Sequence, residues 1–327
     1  MFLLLLSGLA CRSKENQPAE ARDTSTKGEI RISIDESFKP LIQAQLNTFL
    51  GSNPEAKIHA DYKPEAECIQ DLIEGKTAVT VVSRSLTTNE LASFKAKNYS
   101  PDQTIVAWDG IALITGIVNP LERLSLKELS GILNGEITRW SQIKIKVPGN
   151  DSIRVVFDQS GSSTFRQVES KLASGSMPKK VYAAGGNPEV VQYVQSNPSA
   201  IGFIGLNWIS DADDTLAERW RSGLNIIALE APDSAQRPGE YFLPTAKNIG
   251  LNNYLLWREV KMISSEAYIG LGTGFVHFVA GERGQRIMEK AGLRPRTPGT
   301  RAIQLPPVEN AIDLQKYVRD ERNKKKE

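Results

Sequence analysis

Residues 105–117 read IVAWDGIALITGI, and this stretch decides the fold because it is an almost uninterrupted apolar run. Asn119 and Pro120 follow shortly after it. A long apolar run that ends at turn residues is typical of a buried strand. This strand is long enough to run from one half of the molecule into the other, so the sequence predicts two halves that share it.

Strand and helix patterns alternate on both sides of this run. The strand patterns lie at residues 29–34, 57–62, 77–82, 153–157, 200–204 and 259–264. Helical spacing occurs at residues 41–50, 65–74, 126–133, 165–172, 268–279 and 284–291, and a further helix starts at Thr88. Such alternation predicts an α/β fold with mostly parallel sheets.

Length and composition narrow the class of protein. The chain has 327 residues, which favours two domains, and 40 Lys and Arg against 38 Asp and Glu leave a net charge of +2. This balance argues against a nucleic-acid-binding protein and against a disordered chain. With 2 Cys and 2 His, the sequence offers neither a disulfide framework nor a Cys/His zinc site, and few nucleophiles. We therefore expect a binding protein without cofactor or metal, and not an enzyme.

The N-terminal residues predict export and membrane attachment. Residues 2–10 form an apolar run that ends in small residues before Cys11, and residues 12–27 are polar without periodicity. The pattern resembles a bacterial lipoprotein signal, in which the Cys thiol is acylated and a flexible tether follows. The alternative is a cleaved secretory signal with an incidental Cys. At the other end, residues 319–327 form a charged tail.

Three predicted turns between strand and helix carry polar side chains. Residues 158–165 read DQSGSSTF, residues 36–38 read ESF, and residues 83–85 read SRS. Backbone N–H groups at a helix start bind oxyanions, and Ser and Thr hydroxyls add donors. Ligands in open α/β sheets lie beyond the carboxyl ends of the strands. The turns therefore predict an oxyanion site, although a Ser-rich turn is also an ordinary helix cap.

Four motifs, in order, resemble the phosphate-binding proteins of ABC transporters, a family of two-lobed type II solute-binding proteins. They are the crossing strand DGIALI at 109–114, a helix that ends GEITRW at 135–140, the pair AGGN at 184–187 and AIGF at 200–203, and the closing helices that end AGLRP at 291–295. The resemblance covers roughly residues 28–300 of the sequence.

This resemblance implies a type II periplasmic-binding-protein fold with a cleft between two lobes. Residues 28–112 and 258–318 would form lobe I, and residues 113–257 lobe II. The implied function is capture of a small oxyanion, inorganic phosphate first, for the membrane permease of an ABC importer. The protein would act as a monomer in the periplasm or cell envelope, anchored through lipid on Cys11. The alternative is a sensor or interaction lipoprotein of the same fold with altered or lost ligand binding.

The resemblance also implies ligand-binding residues. Ser37 and Phe38 match the pair that opens the first helix of lobe I. Ser162, Ser163 and Thr164 match the hydroxyl turn of lobe II, and the alternative register is residues 160–162. Asp158 matches the turn acid that orients a phosphate-binding Arg.

That Arg has no counterpart at its usual position, and Arg84 aligns with the family's Asp that accepts the ligand's proton. We therefore hypothesise that Arg84 supplies the missing bidentate donor, and that loss of the acceptor weakens discrimination against sulfate. The alternative is that Arg84 lies at the rim and pairs with Glu65 or Glu67, which we expect to be surface carboxylates that would oppose an anion.

Overall fold

The computed structural model of the chain describes residues 22–172 and 181–298. Cys11, the predicted signal, most of the predicted tether and the charged tail lie outside the described residues. In the described part, no helix has the length and apolar character that crossing a membrane requires.

The described chain alternates strands and helices, as the sequence predicts. The strands are β1 (Gly28–Asp35), β2 (Ala56–Lys63), β3 (Val79–Val82), β4 (Asp102–Gly116), β5 (Arg123–Leu124), β6 (Arg154–Phe157), β7 (Val181–Ala183), β8 (Ala200–Gly205), β9 (Leu224–Ile226), β10 (Ala228–Glu230), β11 (Tyr241–Phe242), β12 (Trp257–Ser264) and β13 (Arg294–Pro295). The helices are α1 (Lys39–Ser52), α2 (Glu65–Glu74), α3 (Thr88–Lys95), α4 (Leu126–Leu133), α5 (Ser163–Leu172), α6 (Asn187–Ser196), α7 (Thr215–Ser222), α8 (Ala246–Gly250), α9 (Leu271–Ala280) and α10 (Glu282–Lys290).

One curved sheet runs through the molecule in the order β2-β1-β3-β12-β4-β8-β6-β7, with β9 and β13 also paired to β4. The strands β2-β1-β3 pair in parallel at one end, and β8-β6-β7 do so at the other. Around β4 and β12, every pair is antiparallel. The α/β class is confirmed, but the sheet is mixed rather than mostly parallel, because the strands that pass between the two halves run against their neighbours.

Strand β4 is the predicted shared strand, and the structure confirms it. Up to Gly110 it pairs with β12, and from Ile111 it pairs with β8. Its residues from Gly110 to Gly116 are buried. A strand covered on both faces needs a continuous apolar sequence rather than an alternating one, which is the pattern at residues 105–117.

The change of partner along β4 divides the apolar core. One cluster packs α1, α9 and α10 on the sheet and draws its residues from 32–107 and 260–293. Two other clusters draw theirs from residues 111–256. We call these halves lobe I and lobe II. The predicted lobe limits stay a prediction, and residues 299–318 lie outside the described part. The carboxyl ends of β1 and β6 face each other at the boundary, so the turns that follow them meet there.

Candidate ligand-binding site

The lobe I part of the site is the turn between β1 and α1. Asp35 ends β1, and its Oδ1 accepts a hydrogen bond of 3.1 Å from the backbone N–H of Ser37. That bond caps a short 3-10 turn, Glu36–Phe38, which leads directly into α1. Ser37 and Phe38 are both fully buried. An acid at this position satisfies a free N–H at the helix start, and it thereby fixes Ser37 at the boundary.

The lobe II part is the turn between β6 and α5. Ser162 caps α5, because its Oγ accepts from the N–H of Phe165 at 3.2 Å while its hydroxyl donates to Asp158 Oδ1. Ser162 and the next two residues, Ser163 and Thr164, are buried, whereas Ser160 and Gly161 are exposed. The structure thus brings residues 162–164 to the boundary and leaves most of the alternative register in solvent.

The hydroxyls of the two turns converge. Ser37 Oγ lies 3.2 Å from Thr164 Oγ1 and donates to Asp158 Oδ2 at 3.0 Å. Ser163 Oγ donates to Asp35 Oδ2 across the same boundary. We call the four hydroxyls of Ser37, Ser162, Ser163 and Thr164 the hydroxyl cradle.

A buried arginine completes the hydroxyl cradle. Arg258, on β12, faces Asp109 on β4 in the strand register, and it donates to Asp109 Oδ2 from Nη2 at 2.9 Å and Nε at 3.2 Å. Its Nη1 donates to Ser163 Oγ at 2.7 Å and to Thr164 Oγ1 at 2.9 Å. Phe38 packs under the guanidinium, with its ring centre 4.5 Å from Cζ. Both charged side chains have 0% exposure, so this arginine is held at the site by its own counter-ion.

Sequence reasoning missed Arg258, Asp109 and the role of Asp35. A signal for one of them was present, because Asp109 interrupts an apolar run and a buried carboxylate needs a partner. Its partner lies 149 residues away, and only the register between β4 and β12 brings the two together. Spacing along the chain carries no information about that register.

Three carboxyl groups lie against the hydroxyl cradle. Asp35 and Asp158 accept its hydroxyls, and Glu36 accepts from Asn187 Nδ2 at 2.8 Å. Burial raises the pKa of Asp35 to about 6, against the pull of Arg258. Burial likewise raises the pKa of Glu36 to about 7. The site thus contains carboxyl groups that take up protons near neutral pH.

A second charged pair spans the boundary beside the hydroxyl cradle. Glu65, at the start of α2 in lobe I, accepts from Nε of Arg166 on α5 at 2.7 Å. Glu65 Oε1 also accepts from the N–H of Ser83 at 2.7 Å and from its hydroxyl at 2.8 Å. Glu65 is only 2% exposed, so the prediction of a surface carboxylate was wrong for this residue. The reason is that Arg166 pairs with the negative charge of Glu65, while Ser83 donates hydrogen bonds to the same carboxylate.

Arg84 is not brought to the hydroxyl cradle. Its two terminal nitrogens donate to the two carboxylate oxygens of Glu90, each at 2.7 Å. Glu90 also accepts from the N–H of Thr87 in the capping box of α3. The nearest approach of Arg84 to Glu65 is 3.9 Å. The structure therefore places Arg84 at the start of α3, and its assignment as a ligand-binding residue stays a prediction.

The site has two chemical capacities. The hydroxyls and Arg258 offer donors that suit an oxyanion. The carboxylates of Asp35 and Asp158 offer acceptors, which suit a ligand that also carries hydrogens. Within residues 22–172 and 181–298, no group of three or more His, Cys, Asp or Glu side chains is arranged to hold a metal ion.

Comparison with curated proteins finds full-length similarity. The chain is 22% identical over 300 residues to the phosphate-binding protein PstS of Borreliella burgdorferi, covering 90% of this chain and 96% of that protein. It is 23% identical over 303 residues to the PstS protein of Bacillus subtilis, covering 91% of each.

Comparison with solved structures finds the same fold. A Clostridium perfringens protein determined with bound phosphate superimposes with a TM-score of 0.69 at 23% identity, covering 83% of this chain and 100% of that one. An ABC-type phosphate transport receptor from Vibrio cholerae gives a TM-score of 0.60 at 22% identity, covering 81% and 99%. The predicted type II periplasmic-binding-protein fold is therefore confirmed.

A family model described as a PBP superfamily domain matches residues 19–283. This match includes both turns of the site, the shared strand β4 and the closing helix α9, and it ends at the start of α10. The chain therefore belongs to the PBP superfamily.

Proposed function

We propose that this protein is an extracytoplasmic solute-binding protein that captures inorganic phosphate and delivers it to the membrane permease of an ABC importer. The observation that carries the proposal is the convergence of Ser37 from lobe I with Ser163 and Thr164 from lobe II around the guanidinium of Arg258. The relatives named PstS and the phosphate-bound structural neighbour support phosphate as the anion.

Capture requires that the two lobes close on the ligand. A ligand stabilises a closed state only through contacts that are better there than in the open state. The hydroxyl cradle meets this condition, because its members come from both lobes. Arg258 lies on β12, which pairs with the shared strand β4. It therefore reaches the site from the strands that connect the two lobes. On this proposal the protein binds and carries phosphate, and performs no chemistry on it.

Membrane attachment through Cys11 is part of the proposal. The thiol would carry lipid, and the polar residues after it would tether one copy of the binding domain near the permease in the cell envelope. Radiolabelled palmitate supplied to cells should label the wild-type chain and not Cys11→Ser, and the variant should leave the membrane fraction. Equal labelling of both would contradict lipidation at this residue. The proposed monomeric state is tested separately, by gel filtration with light scattering.

A specific observation favours a second candidate, a sensor or interaction lipoprotein that has lost the ligand. Asp35 and Asp158 accept the hydrogen bonds of the hydroxyl cradle, so the two lobes are already linked by the protein's own carboxylates. In such a protein the closed form would be the working form without phosphate.

Thermal unfolding of the purified protein with and without phosphate separates the two candidates. A ligand that binds only the folded state raises its stability by about 2.7 kcal/mol at 100 times Kd. Phosphate should therefore raise the Tm of the wild type. Ser163→Ala, which removes a hydroxyl from the cradle, should lose most of this rise, while Ser160→Ala in the exposed part of the same turn should keep it. No Tm change with phosphate or any other oxyanion would favour the second candidate.

A further inference from the structure

We propose that Gln167 and Lys171 are positioning residues, which tie helix α5 to residues 255–258 and so hold the cradle hydroxyls of α5 against Arg258 before phosphate arrives. We call residues 255–258 the linking segment. The ligand then binds first to this preassembled part of the site, and the turn of lobe I is added on closure. This inference rests on the proposed function, and it names the order in which the site forms around the ligand.

One face of α5 is hydrogen-bonded to the backbone of the linking segment. Gln167 and Lys171 lie four residues apart, so their side chains leave the helix on the same face. Nε2 of Gln167 donates to the backbone carbonyl of Trp257 at 2.8 Å. One helical turn later, Nζ of Lys171 donates to the backbone carbonyl of Leu255, also at 2.8 Å. The helix is therefore fixed to the linking segment at two points beyond the site.

The same face of α5 continues into the hydroxyl cradle. Thr164 lies three residues before Gln167, and its Oγ1 accepts from Nη1 of Arg258 at 2.9 Å. Ser163 Oγ accepts from the same nitrogen at 2.7 Å. We call Arg258, Ser163 and Thr164 the arginine–hydroxyl unit. A rotation or a shift of α5 would separate the hydroxyls from the guanidinium, and the two bonds farther along the helix oppose such a movement.

The contacts of Lys171 bind it to the linking segment. Its ammonium lies 4.3 Å from the centre of the Trp257 ring, which is a cation–π contact. Burial lowers the pKa of Lys171 to about 8, and no acid among the described residues offsets this shift. A partly buried lysine without an acidic partner is unfavourable unless other groups compensate it. Here a carbonyl and an aromatic ring do so, and both belong to the linking segment.

The tie lies within one lobe, so opening of the cleft leaves it intact. Leu255 and Trp257 pack against the same apolar cluster that contains Val168 and Leu172 of α5. Arg258 follows Trp257 directly in the chain, and it is therefore carried with this cluster. The arginine–hydroxyl unit consequently stays assembled when the lobes separate.

The lobe I turn is joined to the arginine–hydroxyl unit in a different way. Ser37 Oγ lies 3.2 Å from Thr164 Oγ1, and the ring of Phe38 packs 4.5 Å from Cζ of Arg258. These contacts join the two lobes, so they are lost when the lobes separate. The open protein therefore presents the guanidinium and two hydroxyls as a ready surface for an oxyanion, and closure adds Ser37.

Preassembly has a measurable effect on affinity. When only a fraction of the molecules holds the binding-competent arrangement, the apparent affinity falls by that fraction. Loss of either tie should therefore weaken phosphate binding, although neither Gln167 nor Lys171 is a member of the hydroxyl cradle.

Amide hydrogen exchange and titration calorimetry on the full chain test the inference, with inorganic phosphate as the probe. The variants are Gln167→Met and Lys171→Met, which keep the length of the side chain but remove the donor. Lys171→Arg restores a cationic donor. Ser170→Ala is the control on the same helix, because Ser170 is exposed and its hydroxyl donates only to the backbone carbonyl of Gln167. Circular dichroism shows whether each variant is folded.

In the wild type, we expect α5 to be protected from exchange to the same degree with and without phosphate, whereas the turn at residues 36–38 should gain protection only with phosphate. Each Met variant should lose protection of α5 in the phosphate-free protein, and its Kd for phosphate should rise about tenfold, as when about one molecule in ten is competent. Lys171→Arg should recover most of this loss, and Ser170→Ala should match the wild type.

Two results would overturn the inference and leave phosphate capture intact. One is a wild-type protein in which α5 becomes protected only when phosphate is added. The other is a pair of folded Met variants that lose stability but bind phosphate with the wild-type Kd, which would reduce both residues to structural contacts. Failure of the proposed function gives a different result, because neither the wild type nor any variant would then bind phosphate, and both proposals would fall.

Discussion

Two arginine–carboxylate pairs in lobe I contain the same chemical groups in opposite surroundings. Arg258 and Asp109 face each other on neighbouring strands with 0% exposure. Arg84 and Glu90 lie six residues apart at the start of α3, with 25% and 20% exposure of their side chains. In the first pair, Nη1 of Arg258 still donates to the hydroxyl cradle. In the second pair, both terminal nitrogens of Arg84 donate to the carboxylate of Glu90.

The difference shows what positions a cation at a binding site. A pair formed by strand register holds its arginine from one side and directs the remaining donor into the cleft. A pair formed with the acid of a capping box stabilises the start of a helix, and its arginine has few donors left for a ligand. Substitutions can disrupt the buried pair and the partly exposed pair separately.

The largest effect is expected from Arg258→Ala. The substitution leaves Asp109 buried without its counter-ion and removes the donor to Ser163 and Thr164, so we expect the free energy of unfolding to fall by about 3–5 kcal/mol. Urea unfolding measures the loss, and phosphate titration under folding conditions should show no binding.

A double variant separates stability from binding. Arg258→Met with Asp109→Leu removes both charges together, and exchange of a buried pair for apolar side chains is often neutral or stabilising. We expect its stability to recover toward the wild type while phosphate binding stays absent. Recovery of binding in this protein would show that the guanidinium is not the donor the site needs.

The next effect is a dependence of stability on pH. Burial raises the pKa of Asp35 from 3.8 to about 6 and that of Glu36 from 4.5 to about 7. The folded chain therefore keeps protons that the unfolded chain has released, and stability falls as pH rises through this window. Between about pH 5 and about pH 7.5 the free energy of unfolding should decrease by about 4 kcal/mol, the larger part of it from Glu36, at about 1.4 kcal/mol per pKa unit.

Urea unfolding at a series of pH values measures this slope in the absence of phosphate. Asp35→Asn should reduce the slope, because only Glu36 then releases a proton in this window. Asp233→Asn, a change at an exposed loop acid, should keep the wild-type slope. The pair at Glu90 does not interfere, since Arg84 lowers the pKa of Glu90 to about 2 and its contribution is lost only in stronger acid. A wild-type stability that rises with pH over this window would contradict the assignment.

A smaller effect is expected from Arg166→Gln. This change removes the donor to Glu65 that crosses the boundary, while Ser83 still binds the carboxylate. We expect a loss of about 1–2 kcal/mol and, by small-angle scattering, a more open ligand-free protein. Arg154→Gln serves as the control, because Arg154 is exposed and its Nη1 donates to the hydroxyl of Tyr193 within lobe II. The effect of this control should stay within about 0.5 kcal/mol.

Much of the fold follows from local patterns in the sequence. The apolar run at 105–117 and the strand and helix periodicities are local signals, and the structure confirms the elements they predict. Ser162, Ser163 and Thr164 were also accessible, because a hydroxyl turn that caps a helix needs no distant partner. The mixed sheet was not accessible, since the direction of β12 relative to β4 depends on how the chain returns to lobe I.

Most of the charged residues of the site could not be predicted from local sequence patterns. Arg258 and Asp109 are joined by strand register, and Asp35 gains its role only when β6 delivers Ser163 across the boundary. Arg84 was singled out because it lies near the expected sheet edge among hydroxyls. Glu90 was within reach of sequence reasoning, because an acid three residues after Thr87 predicts a capping box, and a competing local partner decides where a long side chain points.

The smallest effect is expected from Arg84→Ala, and it decides between the two arginines. The substitution removes a partly exposed pair from the start of α3, so the loss of stability should be about 1 kcal/mol or less. Phosphate affinity should stay within about twofold of the wild type, because the donors of the hydroxyl cradle and Arg258 are untouched. Glu90→Gln is the matched variant, since it breaks the same pair and keeps the guanidinium. If Arg84→Ala loses phosphate affinity and Glu90→Gln gains it, then Arg84 leaves Glu90 to bind the ligand, and the cation of the site is shared between the buried strand pair and the helix start.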